Sequence, residues 1–254
     1  MSLMLASLTA MLVLLEAAIQ PARFVLAERL RTGEHLVEHR YSDDRIEWKL
    51  PHKRLEPFIR GGAIIHEERH QMIVLRAIVT RTAPGVASLA GSADRTYVDV
   101  PRHTQRFTHA TFSSVLTEGN DDPGVSMPAL EDAAMTDFPR RALGVGDCWT
   151  SRRNILTALG SGRAQFRRCV AARSGPLVRI TVRANGIITG QEYHLPKLLP
   201  GSMELQGDAW YDLDRRLVTQ ESYRVHNRLL KLAEHESIGF DEILDVDVIT
   251  RQIP

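Results

Sequence analysis

The sequence predicts a mainly β protein built from an antiparallel sheet. After Arg23, apolar side chains recur at every second position in many segments, as in strands with one buried face. Turn residues separate these segments. The composition, 43% hydrophobic and 25% charged, is that of a globular protein with enough apolar material for a core. We also expect one or two short helices and an apolar helix at the N-terminus.

The N-terminal segment, residues 1–22, is predicted to be an export signal or a membrane anchor. Leu3 to Ile19 is almost entirely apolar, with the length of a signal-peptide core or of a marginal membrane helix. No Lys or Arg precedes this run and Glu16 lies inside it, so a buried or amphipathic first helix of a soluble protein is the alternative. Residues 23–254 are expected to form a single antiparallel β domain.

Three segments show the strand pattern most clearly. Arg45 to Leu50 alternates between charged and apolar residues and predicts a half-buried strand with Ile46 on its buried face. Gln71 to Arg81 is apolar on both faces, which suits a central strand covered on both sides. Ile243 to Ile249 alternates again, with Val246 directed inward.

A tight hairpin is predicted at Asn185 and Gly186. The preceding strand, Val178 to Ala184, alternates between apolar and polar residues, and an Asn-Gly pair favours a two-residue type I′ turn. The register that follows places Val182 opposite Thr189.

A second hairpin is expected to join Glu204–Leu213 to Leu217–Val225 around Asp214. Two other segments bear on the helix content. Pro128 to Met135 is typical of a short helix with proline in its first turn, whereas Asn227 to Ser237 is compatible with a helix or a strand.

The two cysteines, Cys148 and Cys169, lack the spacing of a zinc site. If Gly160 to Gly162 forms the turn of a symmetric hairpin, Cys169 lies opposite Arg153 and Cys148 points to the other face of the sheet. Side chains on opposite faces cannot form a disulfide. The sequence therefore favours two buried free thiols, with a Cys148–Cys169 bridge as the alternative.

The charge pattern gives no indication of a nucleic-acid partner, because the formal net charge is +1 and the two signs are interspersed along the chain. The adjacent arginines are interpreted as solvated strand ends. They are Arg140-Arg141, Arg152-Arg153, Arg167-Arg168 and Arg215-Arg216. We predict no cofactor, and contact with a membrane only through residues 1–22.

One segment matches a catalytic pattern, H-E-x-x-H, at His66, Glu67 and His70. On a helix the two histidines could bind one zinc ion, and Glu67 would activate the bound water of a hydrolase. On a strand they would lie about 13 Å apart, too far for one metal. The β-branched, apolar sequence that follows favours the strand, so we predict no metal site here.

Other candidate residues have simpler interpretations. Asp245 and Asp247 share an outward face and could hold a cation with Asp241 or Glu242, but a solvated strand face is the preferred interpretation. The aromatic residues Trp149, Trp210 and Tyr211 are interpreted as core or as cover for the sheet rather than as a ligand platform.

Two short motifs carry a resemblance to a known group of proteins. Phe138-Pro139 followed by Gly144 to Trp149 resembles the "P, then vGDsW" motif of uncharacterised exported bacterial β-sheet proteins. Gly207 to Asp212, followed by Leu217-Val218, is similar to their later hairpin, although Arg215-Arg216 stand where those proteins usually have a glycine. In layout the chain also resembles half-barrels of the lipoprotein-carrier type, in which a curved sheet wraps an apolar groove. This resemblance implies that the sheet is a curved antiparallel one, a half-barrel or an open barrel.

The resemblance implies an exported, non-enzymatic protein of the periplasm or the secreted fraction, with a lipid or another apolar molecule as its ligand. It transfers no catalytic residues. Two alternatives remain open: a structural or interaction subunit anchored to a membrane by residues 1–22, and a zinc-dependent hydrolase acting through His66, Glu67 and His70.

Overall fold

The described residues of the chain form one open, ten-stranded antiparallel sheet. The computed structural model describes residues 23–26, 30–49, 66–83, 86–117, 138–157, 160–191, 198–233 and 236–253. The strands are β1 (His35–Lys49), β2 (His66–Ala83), β3 (Val86–Asp99), β4 (Thr104–Thr117), β5 (Cys148–Thr157), β6 (Gly160–Ser174), β7 (Leu177–Gln191), β8 (Leu198–Asp212), β9 (Leu217–Ala233) and β10 (Glu236–Ile253). The predicted antiparallel β architecture is confirmed. Residues 1–22 and Pro128 to Met135, where helices were predicted, lie outside the described residues.

The sheet order is β4-β3-β2-β1-β10-β9-β8-β7-β6-β5. Strands that follow one another in the chain pair with each other, with the exception of β4 and β5, and β1 pairs in addition with β10 in the middle of the sheet. β4 and β5 therefore form the two edges, although they are consecutive along the chain. The β1–β10 pairing joins a meander of four strands to a meander of six strands. It also brings the beginning of the domain against its end.

The clearest strand predictions are confirmed in part. Ile46 and Val246 are buried, with 4% and 1% of their surface exposed, on β1 and β10. Gln71 to Arg81 lies within β2, but only one of its faces is buried there: Ile73 is 4% exposed and Met72 is 38% exposed. The prediction that this strand is covered on both sides is therefore wrong for the described part of the chain.

The predicted turn at Asn185-Gly186 does not form, because β7 continues through both residues to Gln191. Val182 pairs with Arg168 on one side and with Gly207 on the other, not with Thr189. A Cβ atom at Gly186 would lie 2.9 Å from the Cβ of Ala164, so this glycine lets two strands approach closely. The Asn-Gly pair predicts a chain reversal, whereas in the structure its glycine allows close packing within a strand.

The second hairpin is confirmed, since β8 ends at Asp212 and β9 begins at Leu217. The segment Asn227 to Ser237, left open by the sequence, belongs to β9 and β10, whose described residues are strand. Arg216 in the β8–β9 turn has a φ of 55°, in the left-handed region that non-glycine residues rarely adopt.

We expect Arg216→Gly to stabilise the protein by about 1 kcal/mol, because glycine adopts a positive φ without the steric cost of a Cβ atom. The matched control is Arg215→Gly, at the neighbouring turn position, which should destabilise by a few tenths of a kcal/mol through added freedom of the unfolded chain. Urea unfolding of both variants checks this. A loss of stability in both would contradict the explanation from backbone strain.

The buried core lies on the face of the sheet that carries Ile180 and Val182. We call this face, continued in register across all ten strands, the core face, and its opposite the outer face. Trp149 and Tyr211 are buried on the core face, so their interpretation as core residues is confirmed; Trp210 is half-buried. The alternating pattern of the strands thus separates buried from exposed residues as predicted.

Two segments outside the strands cover part of the core face. Phe24 and Leu143 exchange backbone hydrogen bonds of 2.8 and 2.7 Å and are both buried. Phe138 packs edge-on against Tyr211 on β8, with 5.2 Å between ring centroids, and also contacts Trp149 on β5. The chain around residues 24 and 138–143 therefore closes the core above the β5–β8 part of the sheet.

Cys148 and Cys169 form a disulfide, contrary to the preferred interpretation of two free thiols. The two residues lie directly opposite each other on β5 and β6, with 4.1 Å between their Cα atoms. The predicted register was wrong: Arg153 pairs with Ala164, five positions from the predicted partner Cys169. An odd shift moves a residue to the other face of a strand, which is why the prediction placed the cysteines on opposite faces.

Arg168 is also a correction, because its side chain is fully buried in place of the predicted solvated strand end. Its guanidinium donates a hydrogen bond of 2.8 Å to Ser151 Oγ and lies 5.0 Å from the ring centroid of Phe166. Its neighbour Arg167 is exposed, as the alternation of a strand requires.

Candidate functional site

The H-E-x-x-H segment forms the start of β2, so the prediction of an extended backbone is confirmed. His66 and His70 lie on the outer face, separated by about 13 Å at 3.3 Å per residue. His70 Nδ1 bonds Asp43 Oδ1 at 2.6 Å. The strand therefore does not bring the two histidines together, and the described residues contain no group of three or more His, Cys, Asp or Glu side chains that could hold a metal ion.

The residues between the histidines form a different site, since Glu67 and Arg69 point to the core face. Arg69 forms a short ion pair with Glu67, and its guanidinium lies 3.8 Å from Asp44 Oδ2 on β1. On the far side of β1, Glu242 of β10 accepts a hydrogen bond of 2.7 Å from the amide of Asn227 on β9. We call Asp44, Glu67, Arg69, Asn227 and Glu242 the charged cluster.

Sheet register explains why these side chains meet. Asp44 pairs with Arg69 on β2 and with Leu244 on β10, while Ile46 pairs with Glu67 and with Glu242. Asp44 and Glu242 are thus diagonal neighbours on one face, close enough for their side chains to interact. Four neighbouring strands, β2, β1, β10 and β9, each supply at least one member of the cluster.

Burial makes this site electrostatically unusual. The pKa of Asp44 is raised to about 7, first by burial and second by the negative charge of Glu242, with the nearby Arg69 acting in the opposite direction. Burial also raises the pKa of Glu242, against the hydrogen bond from Asn227 and the charge of Arg69. Near neutral pH the cluster therefore gains or loses a proton.

Two acceptor atoms of the cluster have no hydrogen-bond partner among the described residues: Asp44 Oδ1 and Asn227 Oδ1. Asn227 is 2% exposed and Glu242 is 3% exposed, so they form the closed end of the cluster. The side chains of Asp44 and Glu67 are each 16% exposed, and that of Arg69 is 29% exposed, so these three form its open end.

Toward the beginning of β1, the same face becomes apolar. The residues there lie in register on β1 to β4: Leu36 pairs with Ala77 and Glu38 with Leu75, while Ala77 pairs in turn with Gly91. We call the following residues the apolar patch: Leu36, Leu75, Ala77, Val79, Leu89, Ala93 and Phe112. Val79 and Leu89 are buried and the other five are half-buried.

The apolar patch and the charged cluster are two ends of one surface. Asp44 and Leu36 lie eight positions apart on β1, a separation of about 26 Å. Between them Arg40, which is 3% exposed, bonds Glu38 at 2.8 Å. The core face of β1 to β3 is therefore amphipathic along its strands.

The acidic residues of β10 do not form the cation site considered from the sequence. Glu242 lies on the core face, Asp241 pairs with His226, and Asp245 accepts two hydrogen bonds from Arg224, of 2.6 and 3.0 Å. Asp247 is exposed. Asp241, Asp245 and Glu242 thus each contact a different partner within the sheet and do not converge on one cation.

The sequence analysis does not predict the charged cluster, although the sequence places two of its carboxyl residues on strand faces that are predicted to be buried. Asp44 shares the parity of Ile46, and Glu242 shares that of Val246, so both carboxyls fall on a face predicted to be buried. A charged residue at a buried position of a strand indicates a partner or a function. The pairing of β1 with β10 could not be read from these segments alone.

No family model and no curated protein matches the sequence. Similar solved structures include the secretin domain β-barrel of InvG from the Salmonella SPI-1 injectisome, with 9% identity, a TM-score of 0.26, and coverage of 98% of this chain and 68% of that chain. InvG residues 176 to the end, in the open gate state, match with the same identity and TM-score over 98% and 66% of the two chains. Likeness at this level carries no functional argument. In the described part of the chain, no helix has the length and apolar character needed to cross a membrane.

Proposed function

We propose that this chain is an exported, non-catalytic β-sheet protein that binds a lipid or another amphipathic molecule on the core face of β1 to β3. The observation that carries the proposal is the amphipathic surface, with the half-buried apolar patch at one end and the charged cluster at the other. Half-buried Leu75, Ala77 and Ala93 leave apolar surface for a ligand to cover, and such surface marks binding sites.

The Cys148–Cys169 disulfide supports the exported location. Disulfides form and persist in oxidising compartments such as the periplasm and the extracellular space, and they are rare in reducing ones. The apolar segment 1–22 supports the same location, because its length fits an export signal.

An apolar groove on the outer face is the rival location for the ligand. It has a volume of about 550 Å³, and its lining includes Val37, Ile78 and Ile253. A second outer-face groove, of about 540 Å³, is lined by Arg179, Asp208 and Arg224 among others and is too polar for an apolar chain.

Binding of a fluorescent fatty-acid probe distinguishes the two locations. We expect Leu75→Lys, in the apolar patch, to weaken binding at least about tenfold, because it places a charge where the alkyl chain lies. Ile78→Lys, three residues along β2 but on the outer face, should change affinity less than about twofold. Thermal unfolding of both variants checks that each still folds.

The reverse result, loss of binding in Ile78→Lys alone, would move the site to the outer groove. Organic extraction of the protein purified from its native compartment, followed by mass spectrometry, tests the proposal independently. Repeated recovery of no stoichiometric lipid, together with no probe binding, would refute it.

Strand β4 favours a second candidate function, a membrane-anchored interaction subunit. Among the described strands β4 pairs only with β3, so one row of its backbone groups faces away from the sheet, and its Phe107 is 68% exposed. Membrane fractionation with alkali washing tests this: an anchored subunit stays in the pellet, while a mature N-terminus near Arg23 rules the anchor out.

A further inference from the structure

The charged cluster has fewer cations than carboxyl groups. Asp44, Glu67 and Glu242 supply three carboxyls, and Arg69 is the cation within the cluster. Arg69 is paired with Glu67 and lies 3.8 Å from Asp44, beyond hydrogen-bonding distance. The pair of carboxyls on Asp44 and Glu242 therefore leaves a site that favours one further positive charge.

A second observation points to a hydrogen-bond donor at the same place. Asn227 is 2% exposed and donates to Glu242 through its amide nitrogen, while its Oδ1 has no hydrogen-bond partner in the described residues. Asp44 Oδ1 is likewise buried and has no hydrogen-bond partner in the described residues. A buried acceptor without a partner costs free energy, so a donor that reached either atom would be bound favourably.

We propose that the charged cluster binds the ammonium group of an amphipathic ligand whose alkyl chain lies along the apolar patch. This inference rests on the function proposed above and specifies the chemistry of the ligand. An ammonium brings one positive charge and three N–H donors, which suit the excess of carboxyls and the two unpaired acceptors together. A phosphate or carboxylate head group would instead add negative charge beside the carboxyls.

The ammonium enters at the open end of the cluster. Arg69 is the most exposed member, at 29%, and its long side chain can turn aside with the least loss of packing. Asp44 and Glu67 then meet the ligand first, and Asn227 with Glu242 forms the floor. The direction of the strands places the alkyl chain toward Leu36.

Affinity should rise with pH between 6 and 8, because a bound ammonium favours the ionised form of Asp44. In the free protein the pKa of Asp44 is raised to about 7 by burial and then by Glu242. On the same face as Asp44, the neighbouring strands carry Glu67 and Arg69 on β2 and Glu242 on β10. One strand further out on either side lie Tyr97 and Asp99 on β3 and Asn227 on β9. Asp99 is itself paired with Arg102 at 2.9 Å.

The test compares head groups on one chain length by competition with the fluorescent fatty-acid probe. The competing ligands are octadecylammonium, octadecanol, octadecanoate and butylammonium, each kept below its micelle concentration, at pH 6 and pH 8. The long chain is needed because Leu75, the first residue of the apolar patch on β2, lies six positions from Arg69, about 20 Å along the strand. An alkylammonium stays protonated over this range, because its pKa is close to that of lysine, about 10.4. The proteins are the wild type, Asp44→Asn, and the control Asp247→Asn on the exposed outer face of β10.

The proposal predicts that octadecylammonium binds the wild type at least about tenfold more tightly than octadecanol at pH 8, and that its own affinity is lower at pH 6 than at pH 8. Asp44→Asn should abolish this advantage and its pH dependence while octadecanol still binds, and Asp247→Asn should keep both. Equal binding of all octadecyl ligands, or a preference for octadecanoate, would overturn the ammonium inference and leave the apolar site standing. Failure of every octadecyl ligand would overturn the proposed function, and butylammonium as tight as octadecylammonium would overturn the role of the apolar patch.

Discussion

Asp44→Asn should make the protein more stable at pH 8, by an amount on the order of 2 to 4 kcal/mol. The pKa of Asp44 is about 7 in the folded protein, raised by burial and by Glu242, compared with 3.8 for an aspartate exposed to water. Below pH 3.8 the carboxyl is protonated in both states. Between pH 4 and 7 the unfolded chain loses this proton while the folded protein keeps it, so the free energy of unfolding decreases with rising pH.

The measurement is the difference in free energy of unfolding between Asp44→Asn and wild type, from urea titrations at several pH values. We expect the difference to grow from pH 4 to about pH 7 and then to level off. Asp247→Asn, on the exposed outer face, controls for the removal of a surface charge. A difference that is the same at pH 4 and pH 8 would mean that the cluster does not hold the Asp44 proton.

Removal of the disulfide, by Cys148→Ser together with Cys169→Ser, should lower the free energy of unfolding by about 3 kcal/mol. The bridge spans 21 positions and joins the edge strand β5 to β6. Its loss restores conformational freedom to the unfolded chain. It also leaves β5 held to the sheet by its hydrogen bonds with β6 and by the packing of its own side chains, so local opening should increase there.

Urea unfolding of the double variant, with and without a reducing agent, checks this. Reduced wild type should match the double variant, and the reducing agent should not change the variant itself. Hydrogen exchange should show the largest increase in β5, with β8 as an internal control. Identical unfolding midpoints for oxidised and reduced wild type would contradict a stabilising role for the bridge.

The wrong prediction for the cysteines shows what local sequence lacks. Alternation correctly assigned both segments to strands, but the turn was placed at Gly160 to Gly162, whereas those glycines lie within β6. A Cβ atom at Gly162 would lie 1.9 Å from the backbone oxygen of Ile187 on β7. As at Gly186, a glycine that permits close approach between strands looked in the sequence like a turn residue.

The charged cluster shows that the pairing of segments distant in the chain cannot be read from the local sequence either. The position of Asp44 on a buried face follows from its separation from Ile46, but its neighbour Glu242 is nearly 200 residues away in the chain. In the H-E-x-x-H pattern the candidate metal ligands are His66 and His70, and both face outward. The residues between them, Glu67 and Arg69, reach the cluster because β2 pairs with β1 in the observed register.

The local alternation of residues is enough to predict that this chain is built from antiparallel strands and which side chains share a face of each strand, because a strand's side chains alternate with a period of two whatever its partner. The neighbours of each strand, their register and therefore the charges that meet are known from the folded protein alone. Pairing depends on contacts between segments distant in the chain, and a shift of one residue exchanges the two faces without changing the local pattern.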